Sequence, residues 1–153
     1  HNIAKVEDHV VHGTSCTCCV HRKGATRALG GDHAELASRF SGIGQPVLVP
    51  GDMGTASWVL AGPQQGMNRA FASSCHGAGR KMSRGEARRT IDGPALLSEL
   101  QEKGIIIQAN APSVLSEEAP DADKGVDVVI RLTEEAELAR PVARLRPFGV
   151  IKG

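Results

Sequence analysis

Glycine sets the strictest limit on how this chain folds. The 153 residues include 18 glycines, whereas aromatic residues make up only 3% and tyrosine is absent. Glycine adopts backbone angles that other residues avoid, and it lets the backbone approach a ligand closely. We therefore expect tight turns between short elements, with some of the glycine-rich loops close to a binding site.

Short strands and helices are predicted in an order that does not alternate strictly. Residues 3–12 and 15–24 indicate a β-hairpin. The clearest helix lies within 92–104, where Pro94 suits the first turn and Gly104 ends the helix. The other predicted elements are a short helix in 30–46, two strands in 46–62, a helical turn in 63–73, a helix from Ser83, a buried strand at 105–109, a helix in 125–140 and an extended segment at 141–153. This mixture predicts an α+β fold, with residues 1–153 forming a single unit.

Charge and hydropathy exclude several classes of protein. No run of 18 apolar residues occurs, which argues against a membrane span, and no charged-then-apolar leader opens the chain. The net charge of +1 gives no overall basic field for nucleic acid, although it leaves room for local basic patches.

The four cysteines favour a reducing compartment. Cys16, Cys18 and Cys19 crowd into one stretch that fits neither a zinc knuckle nor a disulfide framework. We interpret them and Cys75 as reduced thiols of a cytoplasmic protein. Zinc binding by Cys16 and Cys19 together with a histidine is the alternative.

His76 stands out within the stretch Cys-His-Gly-Ala-Gly-Arg. A neutral imidazole nitrogen attacks phosphorus well, and the small residues 77–79 would let backbone N–H groups approach phosphate oxygens. Arg80, Lys81 and Arg84 would balance the charge of the phosphate. The alternative is a glycine turn with a partly buried histidine and solvated cations, and on pattern alone this alternative is favoured.

The segment Pro-Gly-Asp-Met-Gly-Thr at 50–55 follows a predicted strand, as many ligand-binding loops do. No Gly-Lys-Ser/Thr follows, so the segment is not a Walker A loop, and a plain β-turn explains the pattern equally well. Basic residues also cluster at 22–27 and at 140–146, where they indicate either a solvated face or a surface for a polyanionic backbone.

Five stretches together resemble the C-terminal portion of the RtcB family of GTP-dependent tRNA-splicing RNA ligases. They are the segments 1–5, 20–28, 46–62, 73–84 and 142–153, which occur in the order and spacing of the family along the whole chain. The resemblance implies that the chain is the C-terminal catalytic portion of a longer RNA ligase. It also implies the C-terminal part of the RtcB-type fold.

The resemblance implies a covalent mechanism as well. His76 would accept a guanylate from GTP in the presence of Mn²⁺ and pass it to an RNA 3′-phosphate. The RNA 5′-hydroxyl would then attack that activated end, and GMP would leave. A 2′,3′-cyclic phosphate would first be opened to a 3′-phosphate. The partners would be RNA, such as tRNA halves or broken ends, and the missing N-terminal portion of the same protein.

By the same resemblance, His1 is a manganese ligand and nine residues bind the nucleotide. The nine are Pro50, Gly51, Asp52, Met53, Ser57, Gly77, Ala78, Gly79 and Lys152. Ser57 and Lys152 would hydrogen-bond the guanine. Two positions depart from the family pattern: some members have serine in place of Asp52, and an aromatic residue that stacks near guanine would fall near Asp123. The other manganese ligands, a cysteine and further histidines, belong to a region outside this sequence.

Two hypotheses about function remain open at this point. In the first, the chain is the catalytic part of an RNA ligase and is inactive in isolation. In the second, it is a non-catalytic module that binds phosphate or RNA and keeps the fold without the chemistry.

Overall fold

A computed structural model describes residues 2–64 and 69–152, and both strands and helices occur in these ranges. The strands are β1 (Asn2–Val11), β2 (Thr14–Lys23), β3 (Ala25–Arg27), β4 (Pro46–Val49), β5 (Ser57–Ala61), β6 (Ser73–Cys75), β7 (Ile106–Ala109), β8 (Arg140–Leu145) and β9 (Gly149–Lys152). The helices are α1 (Arg84–Thr90), α2 (Gly93–Glu102), α3 (Pro112–Glu117) and α4 (Val126–Glu135), with short 3-10 helices at Ser38–Phe40, Arg69–Phe71 and Pro120–Ala122. The predicted α+β fold is confirmed. No helix within the described ranges has the length and apolar character that crossing a membrane requires.

The chain forms two compact units, each assembled from three separate segments. Unit 1 contains His1–Val49, Trp58–Gly77 and Ile130–Ala143, and unit 2 contains Pro50–Ser57, Ala78–Val129 and Arg144–Gly153. Because the chain returns to each unit repeatedly, no single boundary cuts it into two consecutive domains. The expectation of one unit over 1–153 remains a prediction.

The predicted hairpin is confirmed in unit 1. β1 and β2 pair antiparallel, with Asn2 opposite Lys23 and Val11 opposite Thr14. The two turn residues, His12 and Gly13, both have positive φ angles, of 50° and 80°. Two successive residues with positive φ match the tight turn that suits the twist of a hairpin.

A buried ion pair fixes one face of this hairpin. The Arg22 guanidinium, whose side chain is 2% exposed, donates hydrogen bonds to both carboxylate oxygens of Glu7, at 2.9 and 2.7 Å. His9 Nε2 lies 3.1 Å from Glu7 Oε2. The interpretation of the basic stretch 22–27 as a solvated or polyanion-binding surface is therefore wrong for Arg22.

The same guanidinium also anchors an unusual backbone segment. Residues 70–72 have φ angles of 53°, 51° and 50°, a left-handed conformation that costs free energy for residues other than glycine. Arg22 donates to the Phe71 carbonyl oxygen at 2.7 Å and to Ser73 Oγ at 2.9 Å. These two bonds compensate for the strain and connect the hairpin to the segment that leads into β6.

Two small sheets complete unit 1. β3 pairs antiparallel with β6, and the order β4-β5-β8 makes a three-stranded sheet that includes the two strands predicted in 46–62. Val47, Val49 and Leu60 of this sheet are fully buried. The short strands end at loops that carry the predicted site residues.

Unit 2 is built around helices that begin where the sequence predicts. Ser83 caps α1, and its Oγ accepts a hydrogen bond from the Glu86 backbone N–H at 3.1 Å. Asp92 caps α2 in the same way, and Gly104, with a φ of 78°, follows its end. The core of the unit consists of Met53, Leu96, Leu100, Ile105, Leu115 and Ala119.

Three predicted elements differ in the structure. The predicted helix in 30–46 is wrong apart from the 3-10 turn at Ser38–Phe40, because the glycine-rich loops on both sides leave it little length. The predicted buried strand at 105–109 is a strand, but Ile106 is 61% exposed because β7 pairs only with β9 among the described residues. The helical turn predicted in 63–73 falls on Arg69–Phe71, but its backbone is left-handed, with φ angles of 53° at Ala70 and 51° at Phe71, and 65–68 lie outside the described residues.

Candidate active site

His76 directly follows β6 in unit 1. Because β6 pairs with β3, with Cys75 opposite Ala25, the residue after β6 lies beside the residue before β3, which is Gly24. A Cβ atom placed on Gly24 would be 4.0 Å from both Cδ2 and Nε2 of the imidazole. His76 is half-buried. The ring is therefore held against the backbone and stays partly accessible to solvent.

The loop between β4 and β5 belongs to unit 2 and is fixed by its own side chains. Asp52 Oδ1 accepts a hydrogen bond from the Gly54 backbone N–H at 2.8 Å, and Asp52 Oδ2 accepts one from the Thr55 hydroxyl at 2.6 Å. The Gly51 backbone N–H donates to Ser57 Oγ at 3.3 Å. Asp52 and Ser57 thus act first as supports of the loop.

Two glycines let this loop pack closely. A Cβ atom on Gly51 would lie 1.9 Å from the Ala56 carbonyl oxygen, and one on Gly54 would lie 2.7 Å from Pro120 Cγ. Neither position has room for a side chain. Met53 between them is 5% exposed and packs into the core of unit 2, so it offers a ligand its backbone rather than its side chain.

The residues after His76 lead into a backbone bridge of unit 2. Gly79 has a φ of 77°, and its carbonyl oxygen accepts a hydrogen bond from Lys124 N at 2.9 Å. Arg80 and Asp123 form an antiparallel bridge. The Arg80 side chain donates to the carbonyl oxygens of Met82 and Glu117, at 3.2 and 2.6 Å. This guanidinium is therefore held in place by fixed backbone acceptors.

Five charged side chains of unit 2 form what we term the charged cluster: Asp52, Arg80, Glu118, Asp123 and Lys152. Arg80 Nη1 lies 3.7 Å from Glu118 Oε1 and 4.0 Å from Asp123 Oδ1, and Lys152 Nζ lies 3.7 Å from Glu118 Oε2. Burial raises the pKa of Asp123, and the carboxylates of Glu118 and Asp52 raise it further against the opposing effect of Arg80 and Lys152. The cluster thus contains both hydrogen-bond donors and acceptors, and its ion pairs are long, at 3.7 to 4.0 Å.

A cavity of about 480 Å³ lies next to the charged cluster. Its lining residues are Arg84, Arg88, Val114, Glu117, Glu118 and Lys152. Arg88 Nε donates to Glu117 Oε1 at 2.6 Å, and Arg84 Nε lies 3.4 Å from Glu118 Oε1. Lys152 connects this cavity to the charged cluster.

Most of the predicted site residues occur within unit 2. These are Pro50, Gly51, Asp52, Met53, Ser57, Ala78, Gly79 and Lys152, whereas His76 and Gly77 belong to unit 1. The predicted manganese ligand His1 lies outside the described residues. Within 2–64 and 69–152, no three His, Cys, Asp or Glu side chains gather into a set that could hold a metal ion.

Sequence reasoning missed Glu117 and Glu118 as components of this region. They lie at the end of α3, where the sequence predicted no element. The adjacent acidic residues of Ser-Glu-Glu-Ala-Pro were the available signal. Their arginine partners lie 29 to 37 positions earlier in the chain. A local sequence pattern does not reveal a pairing over that distance.

Comparison with known proteins identifies the family of this chain. A family model described as tRNA-splicing ligase RtcB matches residues 1–153. The chain belongs to the RtcB family. The resemblance read from five sequence stretches is thus confirmed.

Individual relatives in the RtcB family align with the whole chain at about 50% sequence identity. The tRNA-splicing ligase RtcB of Thermococcus kodakarensis is 51% identical over 153 residues, and the protein of the same name from Pyrococcus abyssi is 50% identical. The RNA-splicing ligase RtcB of Mycobacterium bovis is 49% identical. The chain covers 32%, 17% and 35% of these three relatives, so it spans about a third of their length or less.

Proposed function

We propose that this chain is the guanylate-accepting portion of a longer GTP- and Mn²⁺-dependent RNA ligase. The enzyme would join RNA 3′-phosphate or 2′,3′-cyclic phosphate ends to 5′-hydroxyl ends, as in tRNA splicing and RNA repair. Family membership supports the reaction class. The observation that carries the proposal is the half-buried imidazole of His76, held beside Gly24 and followed by three small residues.

In the first step, a neutral imidazole nitrogen of His76 attacks the α-phosphorus of GTP. The N–P bond forms as the bond from this phosphorus to the bridging oxygen breaks, and pyrophosphate leaves with that electron pair. The proton on the other ring nitrogen is released, so the histidine-guanylate carries a neutral imidazole. Only a ring nitrogen without a proton carries the lone pair that this attack needs.

In the second step, an oxygen of the RNA 3′-phosphate attacks the guanylate phosphorus. The N–P bond breaks as the other ring nitrogen takes up a proton from solvent, and the neutral imidazole is restored. The RNA 5′-hydroxyl then attacks the activated 3′-phosphorus and loses its proton, and GMP leaves as a phosphodiester forms. An end that carries a 2′,3′-cyclic phosphate is first opened by water to the 3′-phosphate.

The remaining residues would bind and orient the nucleotide. Gly77, Ala78 and Gly79 allow backbone N–H groups to approach phosphate oxygens closely. The Lys152 ammonium lies 34% exposed beside Glu118 and would donate to an acceptor of the guanine. Asp52 uses both carboxylate oxygens within its loop, so its role would be to keep Gly51 to Ser57 in shape.

Manganese would supply Lewis acidity toward the triphosphate when bound. The described residues do not fit a complete manganese centre, because no set of three ligating side chains is found in 2–64 and 69–152. Its ligands would come from His1 and from other parts of the longer protein. No step above depends on a particular metal geometry.

Labelling with GTP tests the proposal. The longer protein that carries this chain is incubated with α-³²P-labelled GTP and Mn²⁺, and the adduct is mapped by peptide mass. We expect label on the peptide that contains His76, none in His76→Ala, and parental labelling in the matched control His21→Ala, an exposed histidine of β2. The 153-residue chain alone should label weakly or not at all.

Two outcomes would contradict the proposal. Equal labelling of His76→Ala and the parent would place the guanylate elsewhere. No labelling of a folded longer protein that still binds RNA would favour the non-catalytic module.

A further inference from the structure

A second cavity in unit 2 is strongly basic, and the mechanism above does not use it. It has a volume of about 520 Å³ and is termed the basic cavity here. Its lining residues are Gly54, Thr55, Lys103, Ile105, Asp127, Arg144, Arg146 and Pro147. Three cations against one carboxylate give the lining a formal charge of +2.

The three cations differ in how far they are already neutralised. Lys103 Nζ lies 2.6 Å from Glu99 Oε1, and Arg144 donates two hydrogen bonds to Asp127 at 3.1 and 2.9 Å. Arg146 is exposed and makes no ion pair with any other residue in the ranges that the structure describes. Its guanidinium is therefore available to an anion without the loss of an existing partner.

An exposed aromatic residue adjoins these cations in the sequence. Phe148 follows the cavity-lining Pro147 and is 79% exposed, in a chain with only three phenylalanines, one tryptophan and no tyrosine. Its backbone is fixed, because its carbonyl oxygen accepts a hydrogen bond from the Ile106 N–H at 3.0 Å. Proteins that bind single-stranded nucleic acid combine cations along the phosphate backbone with aromatic rings on which the bases stack.

The position of the basic cavity connects it to the proposed reaction. Gly54 and Thr55, which line it, belong to the loop that carries Pro50 to Met53. A strand lying in the cavity would therefore pass beside the loop assigned to the nucleotide.

We propose that the basic cavity binds the phosphodiester backbone of single-stranded RNA, with Phe148 stacking against a base. The inference rests on the proposed function, because it concerns the RNA that the ligase would join. An acidic protein segment would satisfy the cations equally well, but it would gain nothing from an exposed aromatic ring. Inorganic phosphate would likewise need only the guanidinium groups.

Fluorescence anisotropy of a labelled single-stranded 12-nucleotide RNA tests the inference on the longer protein that carries this chain. Arg146→Ala should weaken binding about threefold to tenfold at 50 mM salt and reduce the slope of log affinity against log salt by about 0.7. Phe148→Ala should weaken binding by about fivefold and leave that slope unchanged, since stacking releases no counterions.

Asp127→Asn gives the opposite sign. It removes the Asp127 carboxylate from the lining and frees the Arg144 guanidinium, so RNA affinity should rise about twofold to fivefold. Arg131→Ala is the matched control: Arg131 is an exposed arginine that also pairs with a carboxylate, Glu135, and it does not line the cavity. This control should bind RNA as the parent does. All of these side chains are exposed, and unfolding midpoints of the variants show whether each is folded.

Several results would overturn the inference. These are no binding to the folded longer protein at 50 mM salt, equal losses in Arg146→Ala and Arg131→Ala, no gain in Asp127→Asn, or equal competition by a polyglutamate peptide. Failure of GTP labelling with normal RNA binding would contradict the proposed function alone. Normal GTP labelling, together with RNA affinity that these substitutions leave unchanged, would contradict only the proposal that the basic cavity binds RNA.

Discussion

Two arginine–carboxylate pairs in this chain share their hydrogen-bond pattern and differ in their surroundings. In the hairpin of unit 1, Arg22 donates twice to Glu7, and the two side chains are 2% and 10% exposed. In unit 2, Arg144 donates twice to Asp127, and the side chains are 38% and 53% exposed. The paired groups are therefore the same, whereas their solvent access differs and Arg22 also donates to Ser73 and Phe71.

The difference separates a pair that is a fixed part of the fold from a pair that can change partners. A buried guanidinium that loses its carboxylate cannot recover the loss from water, so the pair with Glu7 is a fixed part of the fold. An exposed pair is screened by solvent and contributes little to stability. Arg144 can therefore exchange Asp127 for a phosphate at small cost, whereas Arg22 cannot change partners.

The largest expected effect is the loss of stability in Glu7→Gln. The substitution leaves the Arg22 charge buried without its carboxylate and weakens the support of the left-handed segment 70–72. We expect the free energy of unfolding in urea to fall by about 3–5 kcal/mol. A loss below about 1 kcal/mol would show that the hairpin relaxes and lets water reach Arg22.

Acid should produce the next largest effect, and it should act through the same carboxylate. The hydrogen bond from Arg22, acting against burial, lowers the pKa of Glu7 from 4.5 to about 2. Because the folded value is the lower one, the stabilisation is complete above pH 4.5 and is lost as the pH falls toward 2, by roughly 3 kcal/mol in total.

Unfolding free energies at pH 7, 4 and 3 measure this acid dependence in the parent and in Glu7→Gln. The variant has no carboxylate at this position and should lose less stability over the range than the parent does. Parallel curves for the two proteins would assign the acid sensitivity to other groups.

The smallest expected effect belongs to the exposed pair. Asp127→Asn should change the free energy of unfolding by no more than about 0.5 kcal/mol, and 0.5 M salt should make parent and variant indistinguishable. Urea unfolding at low and high salt checks this. A loss of about 2 kcal/mol would show that Arg144 and Asp127 are structural like the buried pair, and the comparison would fail.

Local sequence signals predicted the elements whose determinants are close together in the chain. Ser83 and Glu86 are three residues apart, and their capping contact marks the start of α1 as expected. The helical spacing of α4 predicts one face with Val126, Val129, Ile130 and Thr133; Val129 is half-buried and the other three are buried. The exposure of Ile106 was missed because an apolar run does not tell how many strands flank it.

The candidate site was predicted by motif and resemblance rather than by local physics. The roles of His76, His1 and the nine nucleotide-binding residues remain predictions. What the structure adds depends on contacts between distant residues, such as Arg88 with Glu117 or Lys152 with Glu118. The burial of Arg22 could not be predicted for the same reason. A cation in a basic stretch is expected to be solvated unless its distant partner, here Glu7, is known.

The alternating assembly of the two units has a practical consequence for protein engineering. The chain passes from one unit to the other five times, and one of these passages lies between Gly77 and Ala78, inside the histidine motif. Neither unit can be produced as a continuous fragment, and an inserted tag or linker at this passage would separate His76 from Gly79.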